Sequence, residues 1–389
     1  MECCGRKHEF SAKVAVGRDA LADLPNIARD FGKDCVLFIA DANTYPVAGK
    51  KVEALLASFR VKTFVYAERE LVPDEKAFGR LVIECVGHGL IVALGSGSIN
   101  DLARYTAFCL QIPYIIIATA PSMDGYASMV SPLNVGGSKL TFDACAASAI
   151  IGDEEILATA PKLMAGAGIG DILGKYNSLN DWRLGRLIFG EYYCGYVAEY
   201  TKSAVEKCLS DPNNYLNLMD ALVISGIAMS YVGNSRPASG AEHHLSHYWE
   251  EAFIRAGKPP VLHGVKVGVA TLVILRLYRL LWDMGLNVRS VARSGEGEAR
   301  GRVDLYISKW DGIMAESKKT LPEYGYVKDT LAEAGVPVTP GSIGVTREEF
   351  RDGLLHAHEL RNRFTVLQML GDMGLLEKFA SELTMFYYG

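Results

Sequence analysis

Four of the eight histidines in this 389-residue chain fall within one short stretch: His243, His244 and His247 in SGAEHHLSHYW, and His263 in PPVLHGVKVG. His243 and His247 are four apart, so on a helix they share a face. Asp171 lies upstream in GAGIGDILGKY, with Lys175 one helical turn beyond it. Imidazole with carboxylate is a ligand set suited to a divalent transition ion. Three protein ligands leave a coordination position open for substrate, as a catalytic site requires. Zn²⁺ and Ni²⁺ fit this set ahead of Fe²⁺. The alternative reading is a group of capping or solvated helix histidines, and a lone HxxxH pair favours that alternative. Asp171 and His263, each next to a glycine, tip the balance toward a metal site. His8, His88, His356 and His358 have no such company.

A second chemical signal lies in LIVALGSGSINDLARY. Gly95, Ser96, Gly97 and Ser98 stand between an apolar run and a helical pattern. Backbone N–H groups in such a turn, with the helix N-terminus behind them, suit a pyrophosphate. A tight turn capped by Ser98 or Asn100 explains the same residues about equally well. There is no GxGxxG, because Asn100 takes the third glycine's place. The acid at a strand end, Asp41, precedes the glycine loop instead of following it. It can accept from an adenosine ribose or cap a helix.

The elements needed to position these residues are legible. DCVLFIAD (34–41), KTFVYAE (62–68), LIVALGS (90–96) and PYIIIATA (113–120) read as buried strands. Helical patterns run through KVEALLASF, DEKAFGRLVIECVGHG and INDLARYTAFCL between them. Strand and helix alternating at this spacing predict βαβ units and a parallel sheet. Residues 121–152 are rich in Ser, Gly and Pro and predict a long loop or hairpin, with ACAASAIIGD extended. Beyond Asp153 helical patterns dominate, including EYYCGYVAEYTKSAVEKCL, NLMDALVISGIAMSYVG, AEHHLSHYWEEAF, REEFRDGLLHAHELRNR and FTVLQMLGDMGLLEKFASELT. The expected architecture is an α/β Rossmann-like nucleotide-binding domain over 1–152. An all-helical metal- and substrate-binding domain follows over 153–389, with the site in a cleft between them.

Composition narrows the function class. Hydrophobic residues make up 49% and charged residues 22%, which fits sizeable cores, and the net charge of -5 gives no reason to expect nucleic acid. Cys3, Cys4, Cys35, Cys85, Cys109, Cys145, Cys194 and Cys208 contain no CxxC pair. They read as reduced, mostly buried thiols of a cytoplasmic protein, with no role indicated for Cys3 and Cys4. MECCGRKHEF lacks the apolar core of a signal peptide. The apolar stretch 264–282 carries Lys266, Arg276 and Arg279 and reads as a buried helix, not a membrane span.

Several of these segments together resemble the sn-glycerol-1-phosphate dehydrogenase family, within the iron-containing alcohol dehydrogenase superfamily. The matching pieces are GSGSIND (95–101), TAPSMDGYASMVS (119–131), AGIGDILGKYNSLNDW (167–182), SRPASGAEHHLSH (235–247) and HGVKVG (263–268). They occur in the family order over most of residues 34–285, and the tail beyond about residue 300 matches least clearly.

The resemblance implies reversible hydride transfer between NAD or NADP and dihydroxyacetone phosphate, assisted by one divalent metal, in phospholipid metabolism. It implies Asp171, His243 and His263 as metal ligands. Asp171 and His247 would be catalytic, and Asp124, Asp171 and His247 would contact substrate. Gly97, Ser98, Ile99, Asn100, Asp101, Thr119, Ala120, Pro121, Ser122 and Ser128 would contact the cofactor, with Asp41 at its adenosine end. Spacing alone would make His247 a ligand; the family pattern turns it toward substrate, and that reading is the one followed here. Asn234, Ser235, Arg236 and Lys175 stand near the motifs as unranked donors for the substrate phosphate. A cytoplasmic homodimer or larger homo-oligomer is expected, with no membrane insertion. The alternatives are a glycerol-type polyol dehydrogenase acting on an unphosphorylated substrate, and a metal- or nucleotide-binding protein without turnover.

Overall fold

The computed structural model describes residues 2–285 and 298–389. Ten strands are assigned: β1 (Glu2–Cys3), β2 (Arg6–Lys7), β3 (Lys13–Gly17), β4 (Cys35–Asp41), β5 (Arg60–Tyr66), β6 (Leu90–Gly95), β7 (Tyr114–Ala118), β8 (Val130–Val135), β9 (Ser138–Asp143) and β10 (Ala149–Asp153). Six of them form one sheet in the order β3-β10-β7-β6-β4-β5, and every pairing in it is parallel. The expected parallel sheet is therefore present. The sheet also takes in β3, whose short KVAVG run carries too few apolar residues to stand out in the sequence.

Helices cover both faces of such a sheet, so its strands are apolar without alternation. Val36, Phe38, Ala40, Leu90, Val92, Leu94, Ile115 and Ile117 share one core cluster. Their neighbours Leu37, Ile39, Ile91, Ala93 and Ile116 are equally inaccessible to solvent. From β4 the chain goes outward to β5, then returns past β4 to β6. The topological switch point therefore lies between β4 and β6. The register pairs Ile39 with Ala93, so Asp41 and Gly95 end level with each other at the carboxyl edge. Ligands of open α/β sheets bind at such a point. The expected hairpin is β8–β9, turned by Gly136 and Gly137.

Two compact units emerge from the packing. One holds residues 9–168 and 206–231 and contains the six-stranded sheet. The other holds residues 1–8, 169–205 and 232–389 and is largely helical. One described helix, Tyr215–Val232, is long and apolar enough to cross a membrane, and half of it is buried within the structure. Helix His263–Met284 is buried almost continuously from Gly264 to Leu275. Its Lys266 is met by Glu250 at 3.1 Å. The tail is not one continuous helical run. Arg347–His356 is followed by a short 3-10 turn, Ala357–Leu360, and Arg361–Arg363 leave helical geometry altogether.

Candidate active site

The helical unit brings three of the predicted residues together through a glycine contact. Asp171 lies on helix Lys162–Phe189, a segment whose glycines argue against helix by propensity alone. The reason for one of them is steric. A Cβ on Gly170 would stand 2.2 Å from the Gly264 carbonyl oxygen and 3.3 Å from the Gly268 Cα. Two helix backbones therefore touch where Asp171 and His263 begin to face each other. His263 is the first residue of its helix, and His243 lies one turn into helix Ala241–Arg255. That helix is started by Asp181, which accepts from the Ala241 N–H at 2.8 Å.

Ligand atoms of Asp171, His243 and His263 lie within 4.8 Å of one another. Asp171 is fully buried and His243 is 5% exposed. His243 Nδ1 is 2.7 Å from Glu242 Oε1, while its Nε2 faces Asp171 Oδ1 at 3.6 Å. Glu242 thereby sets the imidazole tautomer and leaves Nε2 for the centre, the carboxylate–histidine pairing seen behind metal-bound imidazoles. One carboxylate and two imidazoles, converging in a buried place, fit a divalent transition ion.

Burial opposes ionisation of Asp171, but the Lys175 ammonium at 2.7 Å and the two imidazoles hold its carboxyl far below the usual carboxylate range. Burial also works against protonation of His243, where Asp171 and Glu242 overcome it and raise its pKa. For His263 burial wins, and its pKa falls well below the ordinary value.

His247 stands aside from the trio, with its ring 5.7 Å from that of His263. Its Nδ1 faces Glu250 Oε2 at 3.6 Å. Burial pushes its pKa down to about 4; Glu250 resists that fall and Arg361 adds to it, so the ring is neutral at pH 7. His244 points elsewhere. It is fully buried and has no hydrogen-bond partner among the described residues.

Arg361 and Arg363 were not singled out by the sequence, because nothing in ELRNR distinguishes them from a solvated helix end. Leaving the helix carries them to Ser235. Arg361 Nη1 and Arg363 Nη2 donate to its hydroxyl at 3.3 and 3.0 Å. Arg236 lies in the same cluster, donating to the Phe364 carbonyl at 2.6 Å and pairing with Glu191. Glu191, Asn234, Arg236, Asn362 and Arg363 line a cavity of about 320 Å³. Burial, with Arg361 and Arg236 nearby, lowers the Arg363 pKa to about 10. Crowded, partly desolvated guanidiniums of this kind favour an anion between them. Lys175 is drawn away from this cavity by Asp171 and the Ala238 carbonyl.

The remaining predicted residues lie in the sheet unit. Gly97, Ser98, Ile99, Asn100 and Asp101 form the first turns of helix Gly97–Leu110, which follows β6. Ser96 makes no side-chain cap there, so the opening amides remain directed past the strand ends, as a pyrophosphate requires. Thr119, Ala120, Pro121 and Ser122 follow β7, the neighbour of β6, and the Thr119 N–H donates to the Gly95 carbonyl at 3.1 Å.

Several of these groups already have internal work. Asp101 pairs with buried Arg104 at 3.0 Å, and Arg104 also holds the carbonyls of Gly125, Tyr126 and Val130. Asn100 donates to the Gly125 carbonyl at 3.3 Å, and Ser128 Oγ accepts from the Val130 N–H at 3.1 Å. Asp124 accepts from Ser225 at 2.8 Å. Asp41 Oδ1 accepts the N–H groups of Asn43 and Thr44, both at 2.8 Å, and so caps the turn into helix Tyr45–Leu55.

Comparison with known proteins follows the same lines. Residues 15–161 match the family model described as iron-containing alcohol dehydrogenase. A glycerol-1-phosphate dehydrogenase [NAD(P)+] of Halalkalibacterium halodurans is 36% identical over 95% of this chain and 96% of its own length. One from Geobacillus thermodenitrificans is 33% identical over 97% and 96%. The crystal structure of glycerol dehydrogenase from Schizosaccharomyces pombe superposes with a TM-score of 0.61 at 19% identity, covering 98% of this chain and 93% of that one. At that identity the likeness is one of fold.

Proposed function

Since the chain belongs to the glycerol-1-phosphate dehydrogenase family, within the iron-containing alcohol dehydrogenases, we propose that it reduces dihydroxyacetone phosphate reversibly to sn-glycerol 1-phosphate with NADH or NADPH. The observation that carries the substrate is the Arg236, Arg361 and Arg363 cluster, since Arg361 also depresses His247 and so lies within electrostatic reach of it. Glu191 offsets one of these three charges, and a substrate phosphate would balance the other two where an unphosphorylated polyol would not.

Asp171, His243 and His263 would hold the divalent ion, with Zn²⁺ or Ni²⁺ ahead of Fe²⁺. An ion held by these three residues would supply Lewis-acid polarisation of the C2 carbonyl, and reduced nicotinamide would supply the hydride. Glu242 keeps His243 Nε2 directed at the centre. Ser235 and the arginines orient the substrate through its phosphate, which spends binding energy on alignment of the reacting carbon. His247, neutral at pH 7, accepts the alcohol proton in the oxidative direction and passes it to solvent, and in the reductive direction it relays a solvent proton to the alkoxide, with Glu250 behind its Nδ1. Asp124 is a further substrate contact. The amides of Gly97 to Asp101 would take the pyrophosphate, Thr119 to Ser122 and Ser128 the neighbouring part of the cofactor, and Asp41 the adenosine ribose.

We place the nucleotide-binding role in residues 1–152 and metal and, Asp124 apart, substrate binding in 153–389. All eight cysteines are free, which supports a reducing compartment and hence a cytoplasmic enzyme, and the family resemblance adds a homo-oligomer. The test is nicotinamide oxidation by the metal-loaded protein with dihydroxyacetone phosphate or dihydroxyacetone as substrate, followed by chiral analysis of the product. A strong preference for the phosphate and formation of sn-glycerol 1-phosphate are expected. Equal kcat/KM for the two ketones would overturn the reading.

A further inference from the structure

The sequence offered no role for Cys3 and Cys4, and it indicated mostly buried thiols. The structure corrects the second point and supplies neighbours that bear on the first. Only Cys85, Cys194 and Cys208 are buried, and Cys3, Cys4, His8 and Cys194 bring their ligand atoms within 4.8 Å of one another. Cys3 and Cys4 come from the hairpin β1–β2, His8 directly follows it, and Cys194 immediately precedes helix Gly195–Ser210. Cys3 Sγ lies 3.3 Å from Cys194 Sγ and 3.9 Å from Cys4 Sγ. His8 Nε2 lies 3.5 Å from both Cys4 Sγ and Cys194 Sγ.

Three of these four separations are those of ligands on one tetrahedral ion, and the Cys3–Cys194 pair is about 0.5 Å closer than an occupied site would hold it. Metal–sulfur bonds of about 2.3 Å and metal–nitrogen bonds of about 2.0 Å at the tetrahedral angle place sulfurs about 3.8 Å apart and sulfur about 3.5 Å from nitrogen. Three thiolates and one imidazole form a soft set that selects zinc over magnesium or calcium, and four protein ligands close the coordination sphere. The surroundings support the charge. The Tyr192 hydroxyl is 3.0 Å from Cys4 Sγ and can donate to a thiolate, and the Arg6 guanidinium lies 3.6 Å from the Tyr192 ring centroid. Tyr192 is itself held by the Trp182 indole N–H, which donates to its carbonyl at 2.7 Å.

The local backbone also calls for such a clamp. Each strand of the hairpin is two residues long, and an isolated two-stranded hairpin is marginal in water even at greater length. Its turn places Cys4 at φ 50° and Gly5 at φ 76°, so a cysteine occupies a left-handed position that glycine or asparagine would fill more easily.

We propose that Cys3, Cys4, His8 and Cys194 form a closed structural zinc site that fastens the N-terminal hairpin onto the Tyr192–Cys194 segment, separate from the catalytic centre. The site performs no chemistry on substrate, so the enzyme carries two metals of different character.

The test uses the full chain purified with reductant. Elemental analysis should find two equivalents of zinc in the zinc-loaded wild type and one in Cys4→Ser. That variant removes an exposed thiol and should keep dihydroxyacetone phosphate turnover within about twofold. Cobalt substitution should produce thiolate-to-cobalt charge-transfer absorption in the wild type and in His243→Ala, and no such band in Cys4→Ser. Unchanged zinc content in Cys4→Ser, absence of the thiolate–cobalt band, or a Cys3–Cys194 disulfide in peptide maps would each overturn the proposal. None of these readouts depends on which ketone the enzyme reduces.

Discussion

Two clusters of side chains able to ligate a metal lie in the same helical unit and are built on opposite plans. Asp171, His243 and His263 project from three helices. Their atoms are oxygen and nitrogen, Glu242 sits behind one imidazole, and a neutral His247 and an arginine cluster stand near by. Cys3, Cys4, His8 and Cys194 project from a short hairpin and a loop, supply three sulfurs and one nitrogen, and have one member exposed to solvent. The first set has too few ligands to close a sphere, and an open position is what a reacting oxygen needs. The second has four, and a closed sphere holds chain segments together. Ligand count and hardness, not proximity alone, separate chemistry from architecture.

The comparison breaks most decisively at His243. Removing one of three ligands from the open site should cost the metal and lower turnover on the order of 10³-fold or more. Zinc at the thiol cluster should remain, so elemental analysis should fall from two equivalents to one. Loss of both metals in His243→Ala would mean that the clusters are not independent.

His247→Ala sharpens the boundary between ligand and proton carrier. We expect normal metal content with kcat reduced ~10²–10⁴-fold, the usual worth of acid–base assistance. Equal metal loss in this variant and in His243→Ala would make His247 a ligand. Normal rates would reassign the proton step.

Glu242→Gln tests the layer behind the open site, where its carboxylate holds His243 Nδ1. Outer carboxylates of this kind contribute ~10–100-fold to metal affinity. A chelator titration should show that loss at the catalytic metal while the thiolate–cobalt absorption stays unchanged. An unaltered titration would reduce Glu242 to a helix-start residue.

The smallest expected effect concerns the cluster that reads substrate. Arg363→Ala removes one charged donor from the cavity, and a charge-assisted hydrogen bond contributes ~1.5–3 kcal/mol. The kcat/KM for dihydroxyacetone phosphate should fall ~10–10²-fold. Both metals and the low activity on dihydroxyacetone should be unaffected. A parallel fall for both ketones would move Arg363 from phosphate recognition to general support of the site.

The sheet and most helices were legible because their signals are local. Uninterrupted apolar runs such as VLFIA and YIIIA announce strands covered on both faces, and the three-to-four spacing in AEHHLSHYWEEAF announces a helix. Asp171, His243 and His263 were legible because two lie on recognisable helical motifs and histidines are scarce. Gly170 offered a hint whose meaning appears only when the Gly264 carbonyl is seen against it.

What tertiary structure decided were the encounters between distant segments. Arg363 reaches Ser235 across 128 positions, and Cys194 reaches Cys3 across 191. The end of the helix at His356 turned a helical-looking tail into an arginine pair on Ser235, with Arg363 lining a cavity. Periodicity along a chain reports which face of an element is buried, because neighbours three or four apart share that face. It carries no term for which distant loop will lie against that face. Close packing of whole elements makes that choice. In this protein it gathered the arginines proposed to take the substrate phosphate and assembled the thiol cluster.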